Sequence, residues 1–135
     1  MKLTDNFHLS EFIYSETAEE HGLKNEPNAE QKENISRLCS RVLQPLREAI
    51  GDPLSISSGF RSDAVNELVG GTPTSQHKKG EAADVAYIEP RKLLSKLLEL
   101  RLDFDQAILY PTFLHISYRS GFNRHQVLYA EGVQP

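Results

Sequence analysis

The sequence predicts an α+β fold in which an antiparallel sheet has helices packed around it. Three observations lead there. Apolar residues recur at helical spacing from Asn28 to Ile50, several short segments alternate with period two, and the two kinds are interleaved irregularly through short turns. Irregular mixing of strands and helices in this way suggests α+β. At 135 residues the chain is expected to form one domain, residues 1–135, because domains commonly run to about 100–150 residues.

Each element follows in order. Ser10 is expected to cap a short helix through Phe12 and Ile13, and Glu16-Thr17 to begin a turn-rich stretch that ends at Gly22. Asn28 followed by Gln31 has the form of a reciprocal cap, so the long helix begins there. Its stripe is Ile35, Leu38, Val42, Leu43, Leu46 and Ile50, with Cys39 beside it as a buried, inert thiol. Pro45 is expected to kink or break that helix, and Gly51-Asp52-Pro53 to end it. Leu54 to Ser58 alternates as a half-buried strand, and Ser62 or Asp63 caps a short helix closed by Gly70-Gly71. Strands are expected at 83–87, 104–109, 113–118 and 126–130, with a helix opening at Pro90.

Composition narrows the function. A net charge of −4 argues against a nucleic-acid partner, which calls for clustered Lys and Arg on phosphates. Lys78-Lys79 and Arg119 to Arg124 are local basic patches whose ordinary reading is solvated surface. No stretch approaches the roughly 20 apolar residues of a membrane span, and the first residues lack a signal-type apolar region. The expectation is a monomeric protein, cytoplasmic as synthesised, with no membrane partner.

The segment from Ser75 to Asp84 contributes His77 and Asp84, and the run Phe113 to Ser117 contributes His115. Two imidazoles and a carboxylate suit a zinc ion with one coordination position open, whereas structural zinc sites favour four ligands and thiolate. Cys39 is the one cysteine, which excludes a thiolate-rich site. Gly80 permits a tight bend between His77 and Asp84, and the small Ala82 and Ala83 let Asp84 approach a crowded centre. Alternation puts Leu114, Ile116 and Tyr118 on one face of their strand and His115 and Ser117 on the other.

The ordered pattern Ser75-x-His77-x-x-Gly80-x-Ala82-x-Asp84, preceded by Ser58-Gly59-Phe60-Arg61-Ser62 and followed by His115 on a strand, resembles the zinc D-alanyl-D-alanine carboxypeptidase family. That family includes phage L-alanyl-D-glutamate endolysins and shares its fold with the zinc-binding signalling domain of Hedgehog. The resemblance extends from Asn6-Phe7-His8-Leu9-Ser10 to Asn123-Arg124-His125-Gln126, nearly the whole chain. It implies a Hedgehog/DD-peptidase-like fold, zinc on His77, Asp84 and His115, and peptidoglycan peptides as substrate. It also implies that Arg61 lies at the site edge, where a guanidinium can clamp a substrate carboxylate or a developing oxyanion. A surface salt bridge is the other reading of Arg61. Ser75 is read either as a contact to the substrate peptide or as a loop cap, and His125 as a substrate contact or a surface histidine.

Relatives often carry an acid shortly before the second histidine, and residues 110–114 contain none. Asp105 is the candidate general base in its place, with Glu81 as a rival. If Tyr110-Pro111-Thr112 is a three-residue turn, Ala107 pairs with His115 and Asp105 with Ser117. Asp105 then lies diagonal to His115, about 7–8 Å away, as base or as hydrogen-bond partner of its imidazole. The expected function is a zinc peptidase on peptidoglycan stem peptides or cross-links, acting on the wall after release. A non-catalytic, zinc-stabilised wall-peptide-binding module of the same fold is the alternative.

Overall fold

The computed structural model describes residues 1–135 and is α+β. A small hairpin, β1 (Lys2–Thr4) and β2 (Phe7–His8), leads into α1 (Leu9–Ile13) and α2 (Glu16–His21). The α1 cap falls at His8 rather than Ser10, because the Glu11 carboxylate accepts from the His8 N–H at 2.7 Å. In α3 (Ala29–Leu38) the expected reciprocal cap forms: Gln31 N donates to Asn28 Oδ1 and Asn28 N to Gln31 Oε1, each at 2.8 Å.

Pro45 does not break the long helix. A π turn, Cys39–Leu43, joins α3 to α4 (Gln44–Ile50), and Pro45 occupies the first turn of α4. Proline lacks an N–H, and the widened i to i+5 turn just before it accommodates the ring within a continuous helical run. Gly51 closes α4 with φ 78°. The buried Gln44 amide accepts from Thr4 Oγ1 at 2.7 Å and donates to Asn6 Oδ1 at 2.7 Å, tying the N-terminal hairpin to the helix.

The main sheet contains β3 (Ser55–Ser58), β4 (Ala82–Ala86), β5 (Gln106–Leu109), β6 (Phe113–Ser117) and β7 (Gln126–Tyr129) in the order β3-β4-β6-β5-β7. Three pairings are antiparallel as expected, but β5 and β7 run parallel, so the sheet is mixed. Helix α5 (Asp63–Leu68), capped by Ser62, follows β3, and a 3-10 turn, Gln76–Lys79, precedes β4. Helix α6 (Pro90–Glu99) packs its Leu93, Leu94 and Leu97 on the sheet beside Leu38, Val42, Leu46, Leu114 and Ile116. Cys39 is fully buried in that core, and burial pushes its thiol up beyond the usual range, so it stays protonated and inert. No helix is long and apolar enough to cross a membrane.

The hairpin register departs from expectation. Ile108, not Ala107, pairs with His115, and Leu109 pairs with Leu114. Tyr110 N donates to Phe113 O at 3.0 Å, so the loop is the two residues Pro111-Thr112. Tyr110 and Phe113 then face each other across the hairpin, their rings stacked at 4.4 Å. Since side chains alternate faces, a slip of one residue moves every side chain of β5 to the other side. Gln106, Ile108 and Tyr110 therefore share the face of His115, while Ala107 and Leu109 are core.

Candidate metal centre

Three elements bring the donor atoms together. Asp84 and His115 are directly paired across β4 and β6, so the sheet ladder itself sets their separation. His115 Nδ1 lies 2.9 Å from Asp84 Oδ1. His77 arrives on the 3-10 turn, with its Nε2 3.4 Å from the same oxygen. All three ligand atoms fall within 4.8 Å of one another. Donors on a tetrahedral ion at about 2.0–2.1 Å are about 3.4 Å apart, so the two measured edges are close to what zinc requires. The nitrogen and oxygen donor set, without thiolate, fits a three-ligand zinc centre with an open position.

The turn that carries His77 is fixed at both ends. Ser75 Oγ accepts from His77 N at 3.2 Å, and Arg61 N donates to His77 O at 3.0 Å. Gly80 closes the turn at φ 75°, with a Cβ there falling 2.5 Å from Gln31 O. His77 Nδ1 donates to the Gly59 carbonyl at 2.7 Å, which fixes the tautomer and leaves the Nε2 lone pair facing Asp84. Burial alone would raise the Asp84 carboxyl, but the imidazoles of His115 and His77 beside it outweigh burial and hold it well below the usual carboxylate range. A carboxylate that stays ionised is what a metal ligand must be.

The cleft around these residues holds about 490 Å³ and is lined by Arg61, Ser75, Gln76, Tyr110 and Arg124 among others. Arg61 lines the cleft, with its Nη2 3.7 Å from Asp84 Oδ2. Its Nε donates to Ser58 Oγ at 3.2 Å and its Nη1 faces Asn66 Oδ1 at 3.4 Å. Burial lowers its pKa and Asp84 opposes that, so the side chain stays a cation. Ser75 caps the turn, as its loop-cap reading has it, and its side chain also lines the cleft.

Two other candidates are not brought to the centre. Asp105 is fully buried and gives its carboxylate to Arg124, accepting from backbone N and Nε at 3.0 Å each and from Nη2 at 2.8 Å. Regular pairing ends there, because Asp105 N and Gln106 N both donate to Ser117, one to its carbonyl and one to its hydroxyl. The carboxylate beside the His115 Nδ1 is that of Asp84, the fellow ligand, and not Asp105. His125, at φ 54°, turns away to pair with Asp103 and stack on Phe104 at 5.3 Å. It is absent from the cleft lining, where its neighbour Arg124 is present. Glu81 accepts from Gln76 and lines an adjoining cavity rather than the metal cleft. Asp84 is the one carboxylate that lines the cleft.

Sequence reading missed Gln76, Gln106, Ile108, Tyr110 and Arg124 as cleft residues. For Gln106, Ile108 and Tyr110 the signal was the β5 alternation, legible once the turn length is known. The hydrogen bonds of Arg124 hold the Asp105 carboxyl below its ordinary value, with burial opposing. Such a depressed acid stabilises the fold above its unfolded-state pKa of about 3.9, and the contribution is lost as pH falls toward the lower folded value. Thermal melts are expected to fall more steeply for wild type than for Asp105→Asn once the pH drops below about 4. Parallel curves would show that the pair adds nothing.

The sequence profile of the family described as Peptidase M15 matches residues 5–117. A curated relative, the zinc D-Ala-D-Ala carboxypeptidase of Streptomyces albus G, is 48% identical over 44 residues, which is 32% of this chain and 17% of that protein's length.

Proposed function

This chain belongs to the peptidase M15 family, and from that membership we propose that it is a zinc peptidase of bacterial peptidoglycan peptides. The observation that carries the proposal is the convergence of His77, Asp84 and His115 within 4.8 Å, on the floor of a cleft that also exposes Arg61. The reading extends to the fold, which we assign to the one shared by DD-carboxypeptidases and the Hedgehog signalling domain. The zinc named in the Streptomyces relative is the cofactor we assign to the three ligands. A stem peptide or cross-link is the substrate, in the manner of a prophage endolysin or wall endopeptidase, reached after release from the cell.

Zinc, when bound, supplies Lewis acidity toward a carbonyl and lowers the pKa of water toward about 7. The chain's own residues do the rest. Gly59 O orients the His77 imidazole, and the β4–β6 ladder sets the His115 imidazole beside Asp84. Arg61 presents a cation at the cleft edge for the oxygen that gains charge when the peptide carbonyl becomes tetrahedral. Gln76, Gln106 and Ser75 offer neutral hydrogen-bonding groups to the peptide backbone. Tyr110 brings a phenolic hydroxyl to the face of His115. Arg61→Lys keeps the charge but loses the planar fork, so turnover is expected to fall about tenfold or more while zinc content stays at the wild-type value. Zinc loss, or unchanged turnover, would count against this role.

A second reading has its own observation. With Asp105 committed to Arg124, the cleft holds no carboxylate beyond the ligand Asp84. A zinc-stabilised module that binds wall peptides without cutting them fits that arrangement. Incubating zinc-loaded protein with purified peptidoglycan and identifying released ends by mass spectrometry separates the two. New termini at L-Ala–D-Glu, D-Ala–D-Ala or a cross-bridge establish the peptidase and name the bond. Intact wall with retained protein establishes the module.

A further inference from the structure

The geometry points to a carboxylate-binding subsite at Arg124, preorganised by Asp105, where the metal cleft opens into a second cavity. The inference rests on reading the cleft as a peptide site. The second cavity, about 720 Å³, has no hydrophobic residue in its lining and shares Thr74, Gln76 and Arg124 with the metal cleft. A peptide extending from the metal centre through that junction passes Arg124.

The side chain is built as a clamp. Asp105 takes the Nε–Nη2 edge of the guanidinium at 3.0 and 2.8 Å, and its Oδ1 also takes the Arg124 backbone N–H at 3.0 Å. Asp105 is itself fully buried and pinned by its own N–H on Ser117 O at 2.8 Å, so the guanidinium plane is held from below. The opposite edge, Nη1 with the second Nη2 proton, has no protein partner and belongs to a side chain 46% exposed. That edge is the fork that matches a carboxylate with two parallel hydrogen bonds. Arg61, by contrast, is 18% exposed and directs Nε, Nη1 and Nη2 to Ser58, Asn66 and Asp84. Arg124 is therefore the guanidinium with a free fork.

Charge selects the ligand class. The second cavity is lined by four acidic and four basic residues, a balanced surface that does not favour a polyanion such as a phosphate. A single carboxylate on an otherwise mixed-charge peptide suits it. Arg124 acts here as a substrate-specificity residue and Asp105 as the positioning residue behind it.

The test is calorimetric titration of the zinc-loaded protein with a synthetic stem pentapeptide. Two derivatives accompany it, one amidated at the C-terminal carboxylate and one at the D-Glu α-carboxylate, with hydrolysis followed in parallel. One amidation is expected to weaken binding to wild type by about tenfold or more, the loss of a charge-assisted pair. Arg124→Gln should bind all three peptides alike, Arg124→Lys should not restore the discrimination, and zinc content should stay unchanged in both. If Arg124→Gln leaves Asp105 too poorly compensated to fold, the Asp105→Asn/Arg124→Gln double variant removes the buried charge and gives the same reading. Equal binding of all three peptides to wild type, or discrimination that survives in Arg124→Gln, overturns the subsite. Discrimination through Arg124 without hydrolysis would overturn the peptidase reading and leave the subsite standing.

Discussion

Purified His77→Ala and His115→Ala proteins are expected to lose nearly all the zinc that wild type carries. Asp84 Oδ1 is the hub, 2.9 Å from one imidazole and 3.4 Å from the other. Removing either histidine leaves two protein donors, fewer than the three that catalytic zinc sites use. Loss of a hydrogen-bond partner behind a ligand already costs about 10–100-fold in affinity, so loss of a ligand should exceed that. Elemental analysis after dialysis against dilute chelator reads the effect. Near-stoichiometric zinc in both variants would sink the assignment. Hydrolysis, if wild type shows it, should disappear with the metal.

Gly59→Ala should cost stability heavily. A Cβ at this position lies 2.7 Å from both Cα and the carbonyl oxygen of Phe12, backbone atoms that cannot rotate aside. Phe60 N donates to that same carbonyl at 2.7 Å, so helix α1 and the 59–61 segment are locked together. Overpacking of this kind costs about 1–3 kcal/mol, and backbone contact puts the cost at the upper end, a fall of roughly 10 °C in Tm. The strain reaches the metal, because Gly59 O receives His77 Nδ1–H and Arg61 N holds His77 O. Zinc affinity should drop about tenfold alongside. Melts and zinc titration on the same preparation check both, and a Tm within a degree or two of wild type would refute the clash.

Much of this was legible because the deciding signals are local. Asn28 and Gln31 mark their helix start by side chains that can only satisfy each other's backbone. Leu114, His115 and Ile116 announce which face is core, since period-two alternation needs no knowledge of the partner strand. The three metal donors could be named because their residue types stand in an ordered pattern, Ser75-x-His77-x-x-Gly80-x-Ala82-x-Asp84 and a later His115, that resembles a known family. What failed depended on relations between segments. Tyr110-Pro111-Thr112 reads as a three-residue turn, yet the Tyr110–Phe113 stack draws Tyr110 into the ladder and shortens the loop to two. That slip put Asp105 beside His115 on paper and beside Arg124 in the fold. The parallel β5–β7 pairing and the left-handed backbone at His125 likewise follow from how a distant segment returns, which alternation cannot report. Arg124 was visible as one of a pair of surface cations, but its meaning required the buried acid beneath it.

The pairing of Asp84 with His115 divides the centre into a part that sequence drift cannot tune and a part that it can. Two donors sit on adjacent strands in direct register, so their separation is a property of the backbone ladder common to every antiparallel pair. The third donor rides on a turn, 76–80, held by side chains and backbone from Gly59, Arg61, Ser75, Gln31 and Asn34 rather than by the sheet ladder. A larger or smaller cation, or a different coordination number, can be accommodated only by moving that turn. Metal preference is thus expected to change through residues of the turn such as Gln76 and Lys78, while the strand positions stay locked by the sheet.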